Sequence, residues 1–183
     1  MIILINGSFG VGKTTVARLL VKRIPKSILF DPEIIGFVLR RLPRFIPLKG
    51  RAFEDFQDIT LWRQLTIFTA LSLDKIGLKM VIIPMTFSNL DYLNQIRSPL
   101  VDNGITVHHF CLTASVEVVR DRLTRRGVNP LSAAGKWVYP RAEYCCKIHA
   151  TPEFREHIVT DDILPSDVAD DILDRLHRLA NKS

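Results

Sequence analysis

Gly7-Ser8-Phe9-Gly10-Val11-Gly12-Lys13-Thr14 is the stretch that decides the fold. Its spacing is G-x-x-x-x-G-K-T. An apolar run at residues 2–5 precedes it, and a helical pattern over 12–23 follows. Strand before and helix after are the context in which this motif forms a phosphate-binding loop. The glycines let backbone N–H groups turn inward around phosphate oxygens. Lys13 adds a charge at the β/γ-phosphates, and the Thr14 hydroxyl is placed to ligate Mg²⁺. The dipole of the helix behind them favours the anion further. Gly7, Ser8, Phe9, Gly10, Val11, Gly12, Lys13, Thr14 and Thr15 are therefore the expected binding residues for ATP or GTP.

Outward from this loop, short apolar runs alternate with longer helical patterns, the signature of a parallel sheet flanked by helices. The expected strands are 2–5, 27–30, 80–83, 106–112 and 157–159, with helices over 12–23, 33–41, 53–76, 90–103 and 115–126. Together they predict an α/β, three-layer P-loop fold with a five-stranded parallel sheet, as one domain over 1–183. Leu61, Leu65, Phe68 and Ser72 form the expected inward stripe of the third helix, and Val116, Val119 and Leu123 that of the fifth. A final helix starts near Pro165, with Ser166 or Asp167 to cap it, and Val168, Ile172, Leu176 and Leu179 form its apolar stripe. That stripe docks on the sheet or, in the alternative, makes a peripheral membrane contact. Residues 127–151 hold Pro130, Gly135 and Pro140 and break the pattern. An irregular insert of that length predicts a mobile lid.

The 183 residues suit one domain with a sizeable core. Apolar residues make up 47 % and charged residues 24 %, ordinary for a globular protein. No apolar run reaches the roughly 18 residues of a membrane-spanning helix, and the P-loop begins too early for a signal peptide. A cytoplasmic location is the expectation. The three cysteines, Cys111, Cys145 and Cys146, suggest reduced thiols, neither a disulfide framework nor a zinc site. The net charge of +6 favours anionic partners. With Arg120, Arg122, Arg125 and Arg126 clustered and no basic tail, the charge reads as phosphate handling and excludes nucleic acid as the partner. No feature of the sequence specifies an oligomeric state.

Asp31 follows the second strand, with Glu33 two residues on. Facing the crevice, a carboxylate there can accept a proton from an attacking hydroxyl or hold a water on Mg²⁺. The alternative is that Asp31 caps the next helix. The third strand ends in Ile83-Pro84-Met85-Thr86, without the acid that many remodelling ATPases place there, which argues for a small-molecule phosphotransferase. Arginines before the lid can stabilise charge on a transferring phosphoryl group; Arg122 and Arg126 are the preferred pair, ahead of Lys136 and Arg141. The acceptor pocket should lie by the second and third strands, where Asp55, Gln57, Asp58, Phe37, Trp62, Arg63 and Phe87 gather. Aromatic faces with a few polar groups suit a ring-containing ligand.

The P-loop, Phe30-Asp31-Pro32-Glu33-Ile34-Ile35-Gly36, and Asp55-Phe56-Gln57-Asp58-Ile59-Thr60-Leu61-Trp62-Arg63 resemble the ATP-binding tunicamycin-resistance proteins of bacteria. The resemblance spans roughly residues 1–126. More broadly, the layout is similar to nucleoside, nucleotide and shikimate kinases. Their fold implies an arginine-bearing lid and an acceptor site beside the second strand. It also implies a nucleotide base between Arg122 and residues 161–165, which brings in Pro165. Tunicamycin contains uridine, so a nucleoside-type acceptor pocket fits the resemblance. The insert lacks the cysteines of zinc-bearing adenylate kinases, so no lid metal is implied.

Two functions follow as expectations. The first is an Mg-ATP-dependent kinase acting on a nucleoside-like small molecule, with tunicamycin as the candidate and antibiotic resistance as the outcome. In it Lys13, Asp31, Arg122 and Arg126 are catalytic, Thr14 and Asp31 serve the metal, and Asp31, Glu33, Phe37, Trp62, Arg63 and Phe87 hold the acceptor. The second is an ATP-binding protein that sequesters the drug without phosphorylating it.

Overall fold

The structure, a computed structural model, describes residues 1–41 and 55–181. Its centre is a five-stranded parallel sheet in the order β2-β3-β1-β4-β5, formed by β1 (Ile2–Gly7), β2 (Ser27–Leu29), β3 (Met80–Pro84), β4 (Val107–Thr113) and β5 (His157–Val159). In β1, alternate side chains serve opposite faces. Ile2 and Leu4 join one buried cluster with Val81 and Ile83, whereas Ile3 and Ile5 join another with Met80 and Ile82. A strand buried on both faces reads as an unbroken apolar run, which is why this one is Ile-Ile-Leu-Ile.

Helices α1 (Lys13–Arg23) and α7 (Pro165–Ala180) cover one face, and α3 (Thr60–Lys75) and α4 (Leu90–Asp102) the other. Helix α2 (Glu33–Arg41) leads from β2 toward α3. A third cluster joins α5 (Val116–Arg125) to α6 (Ala133–His149) through Val119, Leu123, Tyr139, Ala142 and Cys146, with Phe9 of the P-loop against it. The chain steps from β1 out to the edge strand β2, returns to β3 beside β1, and then crosses to β4 on the other side of β1, so the strand order reverses at β1. Ligands in such sheets bind at that point, outside the carboxyl ends of the strands.

Several expectations change. Residues 127–151 are not irregular: 133–149 form α6, with Tyr139, Ala142, Cys145, Cys146 and His149 buried. Ser132 caps it by accepting the Gly135 N–H, Gly135 sits close against the Asn129 backbone, and Pro140 faces outward. The third helix begins at Thr60, not near 53. A 3₁₀ turn at Phe56–Asp58, capped by the Asp55 carboxylate, comes before it, and residues 53 and 54 lie outside the described residues. Its buried stripe is Trp62, Thr66 and Ala70; Leu61 and Leu65 of the expected stripe pack against the same core, whereas Phe68 is 67 % exposed. Trp62 sets that rotation, because its indole N–H donates to the Pro32 carbonyl at 2.9 Å. Helix α7 is capped by the extended Leu164 with Pro165 as its first residue, so neither Ser166 nor Asp167 is the cap. Val168, Ile172 and Leu176 of its stripe are buried in the core beside α1.

Candidate active site

The P-loop is held open by its backbone. Gly7 has φ +148°, and a Cβ there would meet the Leu112 carbonyl at 2.7 Å and Val11 Cγ1 at 2.8 Å, so no other residue fits. Gly12 is left-handed at φ 112° and caps α1, with no side chain closing the helix end and no acid in its first turn. Its first N–H groups are thus left for an anion. Lys13 folds back over the loop, its ammonium donating to the Gly7 carbonyl at 2.9 Å and the Ser8 carbonyl at 2.8 Å. Among the described residues no carboxylate pairs with it. Burial lowers its pKa to about 8, with Glu33 pulling the other way. A half-buried ammonium with no carboxylate bonded to it, at a helix N-terminus that no side chain closes, fits a nucleotide phosphate.

Two cavities flank the loop. On one side, a cleft of about 450 Å³ is lined by Gly10, Gly12, Thr15, Arg122, Arg126 and Pro165, among others. Arg122 is anchored, donating to the Val11 carbonyl at 3.2 Å, to Thr160 Oγ1 at 3.1 Å and to the Thr160 carbonyl at 2.6 Å. It braces the P-loop against the end of β5. Arg125 pairs with Asp121, and Arg120 with Glu143 of α6. Arg126 is exposed in the cleft, close enough to Lys13 for the two charges to repel.

On the other side, an aromatic pocket of about 470 Å³ is lined by Phe9, Glu33, Phe37, Phe56, Trp62 and Trp137, with other residues. Phe37 meets Phe56 edge-on at 5.4 Å, and Phe9 meets Trp137 edge-on at 5.5 Å. Arg141 lies over Trp137, 4.5 Å from its ring centroid, and pairs with Asp55 at 3.6 Å. Desolvation, then the nearby Asp31, push the Glu33 carboxyl up, although its outer edge stays open to solvent at the pocket mouth. Asp31 Oδ1 accepts the Glu33 N–H at 3.0 Å, so the helix-start bond that one sequence reading foresaw is made.

Two expected pocket residues lie elsewhere. Arg63 is turned inward, bonded to the Gln57 carbonyl and, at 2.9 Å, to Gln95 Oε1. Phe87 is 1 % exposed, and its backbone forms a two-way pair with the Asn6 side chain. The Phe87 carbonyl also accepts from His149 Nε2 at 2.6 Å, which ties the end of α6 to the strand that feeds the P-loop. Trp137 and Phe56 were not foreseen in the pocket. Trp137 and Arg141 stand four apart, a signal visible once 133–149 is taken as a helix. Burial pushes Cys111 up to about 12 and Cys145 up to about 11, so neither is a thiolate nucleophile.

No group of three or more His, Cys, Asp or Glu side chains able to hold a metal occurs among the described residues. Thr14 is exposed at the start of α1 and Asp31 stands at the end of β2. One hydroxyl and one carboxylate are a donor set that fits Mg²⁺, which keeps its waters and leans on phosphate oxygens.

The parallel sheet, the glycine-bounded loop with its enclosed lysine, and the paired cavities define a P-loop protein with a kinase-like fold. Solved structures agree. The tunicamycin resistance protein of Deinococcus radiodurans matches at 31 % identity and TM-score 0.76, over 96 % of this chain and 94 % of that one. A shikimate kinase from Acinetobacter baumannii in complex with shikimate matches at 22 % and 0.64, over 99 % and 94 %. A gluconokinase from Sinorhizobium meliloti 1021 matches at 14 % and 0.68, over 98 % and 93 %. These last two show the fold alone. No protein-family model and no curated protein matches. The chain belongs to the tunicamycin resistance protein family.

Proposed function

We propose that the protein is an Mg-ATP-dependent phosphotransferase acting on a nucleoside-like small molecule, with tunicamycin as the candidate acceptor. One observation carries this reading: the P-loop is the shared wall between an arginine-lined cleft and an aromatic pocket. Phe9 faces the pocket while Gly10, Val11 and Gly12 face the cleft, so a phosphate held by the loop lies between the two. In this reading the nucleotide base enters the cleft between Arg122 and Pro165, and a flat acceptor stacks among Phe37, Phe56, Trp62 and Trp137. Lys13 and Arg126 hold charge on the phosphoryl group, and Asp31 accepts the proton of the attacking hydroxyl. Magnesium, when bound, supplies charge neutralisation on the phosphate oxygens beside Thr14 and Asp31. Residues 127–151, expected as a lid, would instead cover the acceptor pocket through Trp137 of α6, in a single cytoplasmic domain. No described helix is long and apolar enough to cross a membrane.

The rival is sequestration of the drug, with ATP only shaping the site. The bond from the Glu33 N–H to Asp31 favours it, because a carboxylate already serving as a helix cap needs no catalytic role. Mass spectrometry of tunicamycin incubated with protein and Mg-ATP decides between them. A mass increase of one phosphate is the expected outcome; tight binding of unchanged drug overturns the kinase reading.

A further inference from the structure

On the far side of Asp55 and Gln57 a second cavity of about 650 Å³ opens. Both residues line both hollows, so the two hollows are neighbours that share this wall. The wall is built and buried. Gln57 is 5 % exposed. Its side-chain N–H groups donate to Asp55 Oδ2 at 2.8 Å and to the Thr86 carbonyl at 3.2 Å, and its Oε1 accepts the Ser88 N–H at 3.4 Å. Arg63 braces it from behind through the Gln57 carbonyl, Thr60 Oγ1 at 3.1 Å and Gln95, and lies 4.3 Å from the ring centroid of Tyr92, which faces the cavity. A satisfied buried network of this kind keeps its shape without a ligand. Arg63 therefore has a task that stacking in the aromatic pocket could not explain.

The chemistry of this cavity runs against that of the chain. The protein carries a net charge of +6. Yet the described residues lining this hollow set Asp55, Asp58 and Glu153 against Arg141, which already pairs with Asp55 at 3.6 Å. Among these described residues a phosphate or carboxylate would meet more acid than base. Tyr144 is 54 % exposed and offers an open ring face, while the exposed Asp58 offers acceptor oxygens. Hydroxyl hydrogens suit those carboxylates, and the C–H face of a saturated ring suits the tyrosine.

We infer that this cavity is a second acceptor subsite, taking an uncharged, hydroxyl-rich ring such as a hexosyl group attached to the ring held in the aromatic pocket. The inference rests on the nucleoside-like acceptor reading above. Calorimetry on the full chain with uridine, its 5′-O-glucoside and its 5′-O-glucuronide tests both and separates them. The glucoside should bind about tenfold tighter than uridine, the worth of one or two net hydrogen bonds. The glucuronide should lose that gain to repulsion from Asp58 and Glu153. Tyr144→Ala and Asp58→Ala should lose it too, while both variants still bind Mg-ATP, which shows that they are folded. If uridine binds but the glucoside gains nothing, or gains equally in the variants, the subsite is overturned and the acceptor reading stands. If uridine also fails to bind, both are overturned.

Discussion

The two sides of the P-loop are built by different means. The arginine cleft is shaped by backbone: Arg122 hangs on the Val11 and Thr160 carbonyls, and the loop glycines set where N–H groups point. The aromatic pocket is shaped by side chains brought from four places: Phe9 of the loop, Phe37 of α2, Trp62 of α3 and Trp137 of α6. Backbone geometry suits a ligand whose charge is always the same, such as a phosphate, whereas side-chain surfaces suit a ligand that distinguishes one substrate from another. Substitutions should therefore separate into nucleotide effects and acceptor effects, with the residues between the two sides affecting turnover alone.

Asp31 stands between them and should give the largest effect. Asp31→Asn keeps the shape and the bond from the Glu33 N–H, so Mg-ATP affinity should stay within about twofold while turnover falls on the order of 10² to 10⁴. Single-turnover kinetics beside equilibrium binding check the split. Normal turnover would leave Asp31 as a helix cap and move attention to Glu33.

Lys13→Ala should come next, with Mg-ATP affinity down by roughly 10²-fold, because a charge-assisted contact to phosphate is lost and no neighbour replaces it. Trp137→Ala should act on the other side only. Removing that ring face should weaken the acceptor about tenfold and leave Mg-ATP affinity at the parent value, as two parallel calorimetric titrations would show. A matching loss for Mg-ATP would mean that the contact between Phe9 and Trp137 governs the loop itself, and the division between the sides would fail.

The loop on the backbone-built side was readable in the sequence because its determinants are local, whereas the bonds from Arg122 to Val11 and Thr160 join distant parts of the chain. Gly7, Gly12 and Lys13 announce their task within one turn of chain. The side-chain-built side was readable in part. Phe37 and Trp62 were placed by their neighbourhood, but Trp137 was hidden because Gly135 and Pro140 read as breakers. Gly135 tucks into the first turn, where the missing Cβ makes room for Asn129, and Pro140 sits on the solvent face. The buried positions Tyr139, Ala142, Cys146 and His149 do follow a helical period, and that signal outweighs the two breakers. Arg63 misled for a non-local reason. A charge on an apolar helix looks like a ligand contact until Gln95 of α4 is seen to meet it.

The smallest expected effect concerns a proton, and it probes the nucleotide side without removing any side chain. Enclosure lowers Lys13 to about 8 from an ordinary 10.5 in the empty protein. Between those values the folded protein binds fewer protons than the unfolded chain, so this group makes stability rise with pH across that window. Phosphates beside the ammonium supply the missing counter-charge and return its pKa toward the ordinary range. Nucleotide binding should then take up about 0.5 proton at pH 8 and only about 0.1 at pH 7. Calorimetry in buffers of different ionisation enthalpy measures the number directly. Lys13→Arg should abolish the uptake, because a guanidinium holds its proton throughout this range. Uptake that persists in Lys13→Arg would assign the proton to another group, with Glu33 as the neighbour to test, and would show that the loop lysine is already fully charged before the phosphates arrive.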